Sequence, residues 1–152
     1  MPNIARSHRL RIGRRSLANQ IYHVTTATRD RMPYFEGFHV GRKVIRTVYS
    51  ESSTEANTLA LMVMPDHIHW MVQLPKGASL GGIVGTAKSK SADAVNDYLG
   101  RVGPVWQKGY YDRALRSDED VVSVARYIIG NPIRAGIARS VGEYPLWDAV
   151  WV

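Results

Sequence analysis

The order of elements predicts an α+β protein with a ferredoxin-like layout, an antiparallel sheet with packed helices. Three observations lead there. Segments rich in β-branched and aromatic residues alternate with segments whose apolar residues recur at helical spacing. Two apolar strand-like runs are separated only by Pro65-Asp66, a turn signal that makes them a hairpin. The length, 152 residues, suits one core.

Taken in order, NQIYHVTTATR (19–29) reads as a first strand and DRMPYF as a loop. GFHVGRKVIRTVYSES (37–52) places Val40, Val44, Ile45 and Val48 on one helical face. NTLALMVMP (57–65) and HIHWMVQLP (67–75) are the hairpin strands. SLGGIVGTAKSKSADAVNDYL (79–99) is helical with a glycine-weakened start. GPVWQKGYYDRALRS (103–117) reads as a strand or extended segment. SDEDVVSVARYIIGNP (117–132) is a helix, with Ser117 as cap, acids at its positive end and Pro132 as its stop. EYPLWDAVWV closes the chain with no element assigned.

Composition narrows the chemistry. The absence of cysteine excludes disulfides, thiolate metal sites and cysteine nucleophiles. No apolar run reaches the roughly 18 residues of a membrane helix, so a cytoplasmic protein, nucleoid-associated if it binds DNA, is expected, with no membrane partner. The formal net charge is +7. Arg6, Arg9, Arg11, Arg14 and Arg15 all lie in the first fifteen residues, which hold no acid. Residues 1–18 therefore read as a basic arm ahead of a single domain at 19–152. Arginine suits such an arm to nucleic acid, because its planar fork grips phosphates and guanine edges.

His67 and His69 are two apart on a strand, so they project from the same face. Two imidazoles held in this way can bind one metal ion, and a third ligand must come from elsewhere. His8, His23, His39, the acids and the amides are the candidates. A histidine would favour zinc, copper or iron. An amide or carboxylate oxygen would suit Mg2+ or Mn2+ and leave positions open for phosphate oxygens.

On the last helix Val121, Val122, Val124, Ala125, Ile128 and Ile129 form one broad arc, and Tyr127 falls outside it. Tyr127 and Asn131, four apart, share a face. A phenol so placed can attack a phosphodiester if the phosphate's charge is neutralised. With a pKa near ~10, it needs help to lose its proton.

VMPDHIHWMV resembles the histidine–hydrophobe–histidine motif of the single-tyrosine transposases. YHVT near the start, GPVWQKGYYDRALRS, and ARYIIGNPIRAGI followed by YPLWDAVW are similar to their REP-associated branch. The resemblance spans Tyr22 to Trp151 and implies a ferredoxin-like fold. It implies metal-dependent nicking and joining of single-stranded DNA hairpins, of the repetitive extragenic palindrome kind, through a covalent 5′-phosphotyrosine. By position, Tyr127 is the nucleophile, His67 and His69 are metal ligands, and Asn131 is a further ligand where many relatives carry glutamine. TATRD follows YHVT here in place of the frequent QRG. Lys88, Lys90, Lys108, Arg113 and Arg116 are candidate contacts to the DNA backbone, and Trp106, Tyr110 and Tyr111 candidate stacking residues. Core packing is the competing reading, preferred for Trp106. Relatives act as monomers or as homodimers that exchange the tyrosine helix. Two other functions remain in view: a catalytically silent repeat-DNA-binding protein of the same fold, and an unrelated metal hydrolase built on His23, His67 and His69.

Overall fold

A computed structural model describes residues 20–116, 121–136 and 146–149. The described strands are β1 (Gln20–Ala27), β2 (Asn57–Met64), β3 (His67–Leu74), β4 (Tyr111–Ala114) and β5 (Trp147–Ala149). The helices are α1 (Phe38–Glu55), α2 (Leu80–Leu99), α3 (Val121–Ile129) and the single turn α4 (Asn131–Arg134). The strands form one sheet in the order β4-β1-β3-β2-β5, with every neighbouring pair antiparallel. β3 lies between β1 and β2, and β1 between β3 and β4, so two split βαβ units interlock. This is the ferredoxin-like arrangement. β5 is an addition on the free edge of β2, in a segment whose residue pattern carries no strand signal. A three-residue strand has too little pattern to announce itself, and pairing with an exposed edge defines it.

Alternation decides which face each side chain meets. On β1 and β3, Tyr22, Val24, Ile68, Trp70, Val72 and Leu74 pack beneath α1 and α2. Val40, Val44, Ile45 and Val48 of α1 join them at the predicted spacing. Trp70 Nε1 donates to Thr58 Oγ1 at 2.9 Å, so its polar edge is satisfied inside the core. Ser79 caps α2 by accepting from the Gly82 N–H, and Gly100 ends it at φ 65°.

The other face carries a smaller core. Ala125, Ile128 and Ile129 of α3 pack with Leu59, Ala60, Met62, Met64 and Met71. Helices therefore cover both faces, and β2 is buried along nearly its whole length.

The end of the tyrosine helix corrects the sequence reading. Pro132 does not stop the helix. α3 ends one turn earlier, and Pro132 sits in the first turn of α4. Proline fits there because the first N–H groups of a helix need no intrahelical partner. The expected cap Ser117 and its acids lie outside the described residues. Of the 103–117 segment only Tyr111–Ala114 is strand. The stretch before it crosses the sheet end, touching β1 through a Thr28–Trp106 bridge.

Candidate metal and tyrosine site

His67, His69 and Met71 lie on the face of β3 that looks away from α1 and α2. In register, Thr25 faces His69 and His23 faces Met71, so His23 and Thr25 share that face. The rings of His67 and His69 are nearly perpendicular, 82°, with centroids 5.1 Å apart.

His67 is fixed from behind. Its Nδ1 lies 2.7 Å from Asp66 Oδ1, and Asp66 Oδ2 lies 3.1 Å from Arg31 Nε. A carboxylate on Nδ1 keeps the proton there and leaves the lone pair on Nε2. Arg31 is delivered by a strained turn, since Asp30 and Arg31 both adopt φ 57°. Thr28 pins that turn: its N–H donates to the Asp66 carbonyl at 2.9 Å and its hydroxyl to the Met32 carbonyl at 2.7 Å.

His69 is held on both nitrogens. Its Nδ1 is 3.1 Å from His23 Nε2 and 3.3 Å from Thr25 Oγ1. Its Nε2 is 3.1 Å from Asn131 Nδ2. Burial pushes the His69 pKa down to about 3, helped by the charges of His23, His67 and Arg134. Burial likewise lowers His23 to about 4, with Arg113 adding to it. Both rings are therefore neutral at pH 7, the form in which imidazole binds metals.

The set fits a divalent ion. His67 Nε2, His69 Nε2 and the amide of Asn131 are the donors the geometry offers. Two imidazoles would suit Mn2+ better than the harder Mg2+. Among the described residues no group of three His, Asp or Glu side chains is placed to hold a metal. His23 meets His69 on the nitrogen turned away from Asn131, which argues against a cage of His23, His67 and His69.

Tyr127 lies on the last turn of α3, four residues before Asn131, and is 64% exposed. Asn131 lies across the break at Gly130 from Tyr127, and the link to the histidines runs through Arg134, which stacks on the Tyr127 ring and whose charge acts on His69.

The candidate DNA contacts divide. Arg6, Arg9, Arg11, Arg14 and Arg15 lie outside the described residues. Lys88 departs from its expected role: its Nζ donates to the carbonyls of Gln107 at 2.9 Å and Gly109 at 2.8 Å, on the α2 side of the sheet. It holds a loop there, away from the histidine face. Trp106 is buried and donates to Ser91 Oγ at 3.0 Å, and Tyr110 is buried too, so both pack rather than present a stacking surface. Lys90, Lys108 and Arg116 are exposed. Arg113 and Tyr111 face His23 and Thr25 in register, which places both on the histidine face. Sequence reading missed Asp66, Arg31, Thr25 and Arg134 as parts of the site. Only Asp66, adjacent to His67, carried a signal.

A family model described as "Transposase IS200 like" matches residues 16–131. A Haemophilus influenzae protein, provisionally named a REP-associated tyrosine transposase, is 23% identical over 137 residues, covering 82% of this chain and 77% of that protein. Among solved structures, a REP-associated tyrosine transposase bound to a REP hairpin superposes with a TM-score of 0.72 at 19% identity, covering 88% of this chain and 79% of the other. A provisionally named transposase from Deinococcus radiodurans gives a TM-score of 0.57 at 20% identity, covering 76% and 93%. These two likenesses establish the shared α+β fold. With the family model spanning most of its length, the chain belongs to the IS200-like transposase family.

Proposed function

We propose that this member of the family nicks and rejoins single-stranded DNA hairpins, with Tyr127 as nucleophile. The observation that carries the reading is the approach of Asn131 to His69, whose ring lies beside that of His67, with Tyr127 four residues before Asn131 at the end of the preceding helix. The hairpin substrate is supported by the similar structure, which was solved with a REP hairpin.

The phenol oxygen of Tyr127 attacks the phosphorus of a phosphodiester and forms a new P–O bond. The bond to the 3′ oxygen breaks, the phenol gives up its proton, and the departing oxygen gains one. The products are a 5′-phosphotyrosine and a free 3′ hydroxyl. Attack by that hydroxyl reverses the exchange, so rejoining needs no external energy source. Mg2+ or Mn2+, held by His67, His69 and Asn131, would supply charge neutralisation at the phosphate. Arg113 on the same face, and the arginines of the N-terminal arm, supply phosphate contacts.

The test is a denaturing gel of the full chain with a labelled single-stranded hairpin and Mn2+ or Mg2+. A covalent band that vanishes in Tyr127→Phe supports the reading. Binding with no covalent product in either metal points to a silent DNA-binding protein. Turnover that survives Tyr127→Phe and fails in His23→Ala points to a metal hydrolase.

A further inference from the structure

Arg134 lies three residues past Asn131, and its guanidinium carbon sits 3.7 Å from the centroid of the Tyr127 ring. The same guanidinium donates through Nη2 to the Tyr127 backbone carbonyl. One side chain thus grips both ends of the tyrosine residue. Lysine cannot do this, because stacking on a ring while donating sideways needs a flat, forked cation.

Gly130 lies under the grip. Its backbone, φ −75° and ψ −2°, is ordinary helical geometry that any residue adopts. Its lack of a side chain leaves room for the guanidinium: a Cβ would lie 3.0 Å from Arg134 Nη1, so the guanidinium would have to shift by a few tenths of an ångström. The break between α3 and α4 is therefore a notch through which Arg134 folds back onto Tyr127.

We propose that Arg134 is a positioning residue that clamps Tyr127 for in-line attack, with Gly130 giving it room. This rests on the nicking function proposed above. A phenol 64% exposed otherwise samples several rotamers, and in-line displacement uses only a narrow cone of approach. The clamp raises the fraction of molecules ready to react without adding to DNA affinity.

The experiment uses the full chain as wild type, Arg134→Ala, Arg134→Lys and Gly130→Ala. Single-turnover formation of the covalent adduct is measured with a labelled single-stranded hairpin and Mn2+. Hairpin affinity is measured in EDTA across a salt series. In parallel, the protein is labelled with 3-fluorotyrosine, and the Tyr127 resonance among the eight tyrosines is assigned by its loss in Tyr127→Phe. The clamp predicts a rate about 10- to 100-fold lower in both Arg134 variants and an intermediate loss in Gly130→Ala. It also predicts affinity within twofold of wild type, an unchanged salt slope and a shifted Tyr127 fluorine resonance. A full rate in Arg134→Ala, complete rescue by lysine, or a loss confined to affinity and salt slope would overturn it. The fluorine signal separates the two claims. If wild type forms no adduct, the nicking reading falls, and the clamp then stands or falls on whether Arg134→Ala moves the Tyr127 resonance.

Discussion

His23 Nε2 lies 3.1 Å from His69 Nδ1, and Asn131 approaches the opposite nitrogen of the same ring. One imidazole is thus oriented from both sides, with His23 behind it. A partner on the second nitrogen fixes the tautomer and ring angle of a metal-binding histidine.

His23 should therefore tune the metal site without forming it. Replacing His23 with alanine is expected to weaken Mn2+ binding about 10-fold, measured by calorimetry. His69→Ala should abolish detectable binding. Equal losses in the two variants would make His23 a ligand and restore the three-histidine cage.

Asp66 should matter in the same indirect way. Its carboxylate bridges His67 and Arg31. Asp66→Asn keeps the shape but removes the charge, and about a 10- to 100-fold loss of Mn2+ affinity is expected. Arg31→Ala should produce a smaller loss in the same direction. Unchanged affinity in Asp66→Asn would show that His67 is oriented by its strand alone.

Stability should fall as the solution is acidified. The folded pKa values of His23 and His69, about 4 and about 3, lie below the ordinary 6.5. The unfolded chain thus takes up these protons first. The contribution is complete above pH 6.5 and is lost as pH drops towards the folded values. By pH 5 the loss is on the order of 2 kcal/mol per histidine. Urea midpoints at pH 7 and pH 5, in EDTA, read it directly. In His23→Gln the difference should shrink by roughly half. A midpoint independent of pH in wild type would contradict the assignment.

The contact between α1 and Leu146 predicts a stability effect far from the site. A Cβ on Gly41 would lie 2.5 Å from Leu146 Cδ1, and Leu146 is buried. The Leu146 carbonyl also accepts from the Val63 N–H at 2.9 Å. Gly41→Ala should cost about 1–3 kcal/mol by overpacking. In the Gly41→Ala, Leu146→Ala double variant the two losses should sum to less than their separate values. Strict additivity in denaturant melts would show that the two residues do not compete for that space.

The four-stranded ferredoxin-like sheet, the hairpin and the shared face of His67 and His69 are legible in the pattern of residues alone. Each follows from periodicity: a two-residue repeat sorts a strand's side chains between faces, and Val40, Val44, Ile45 and Val48 mark a helix by their spacing alone. The placing of Tyr127 and Asn131 on one continuous helix was not legible in this way, because the helix breaks at Gly130 between them. Tertiary structure decided what periodicity cannot carry, namely which elements meet. That β3 lies between β1 and β2 sets His23 behind His69, a pairing across 46 positions of chain. That α2 lies on the far side of the sheet turns Lys88 from an expected phosphate contact into a loop anchor. Asp30 and Arg31 adopt left-handed backbone, which aspartate tolerates and arginine seldom takes, and Arg134 folds back past Gly130. Local preference stops a few residues from its origin, whereas contacts between distant segments are fixed only when the whole core closes around them.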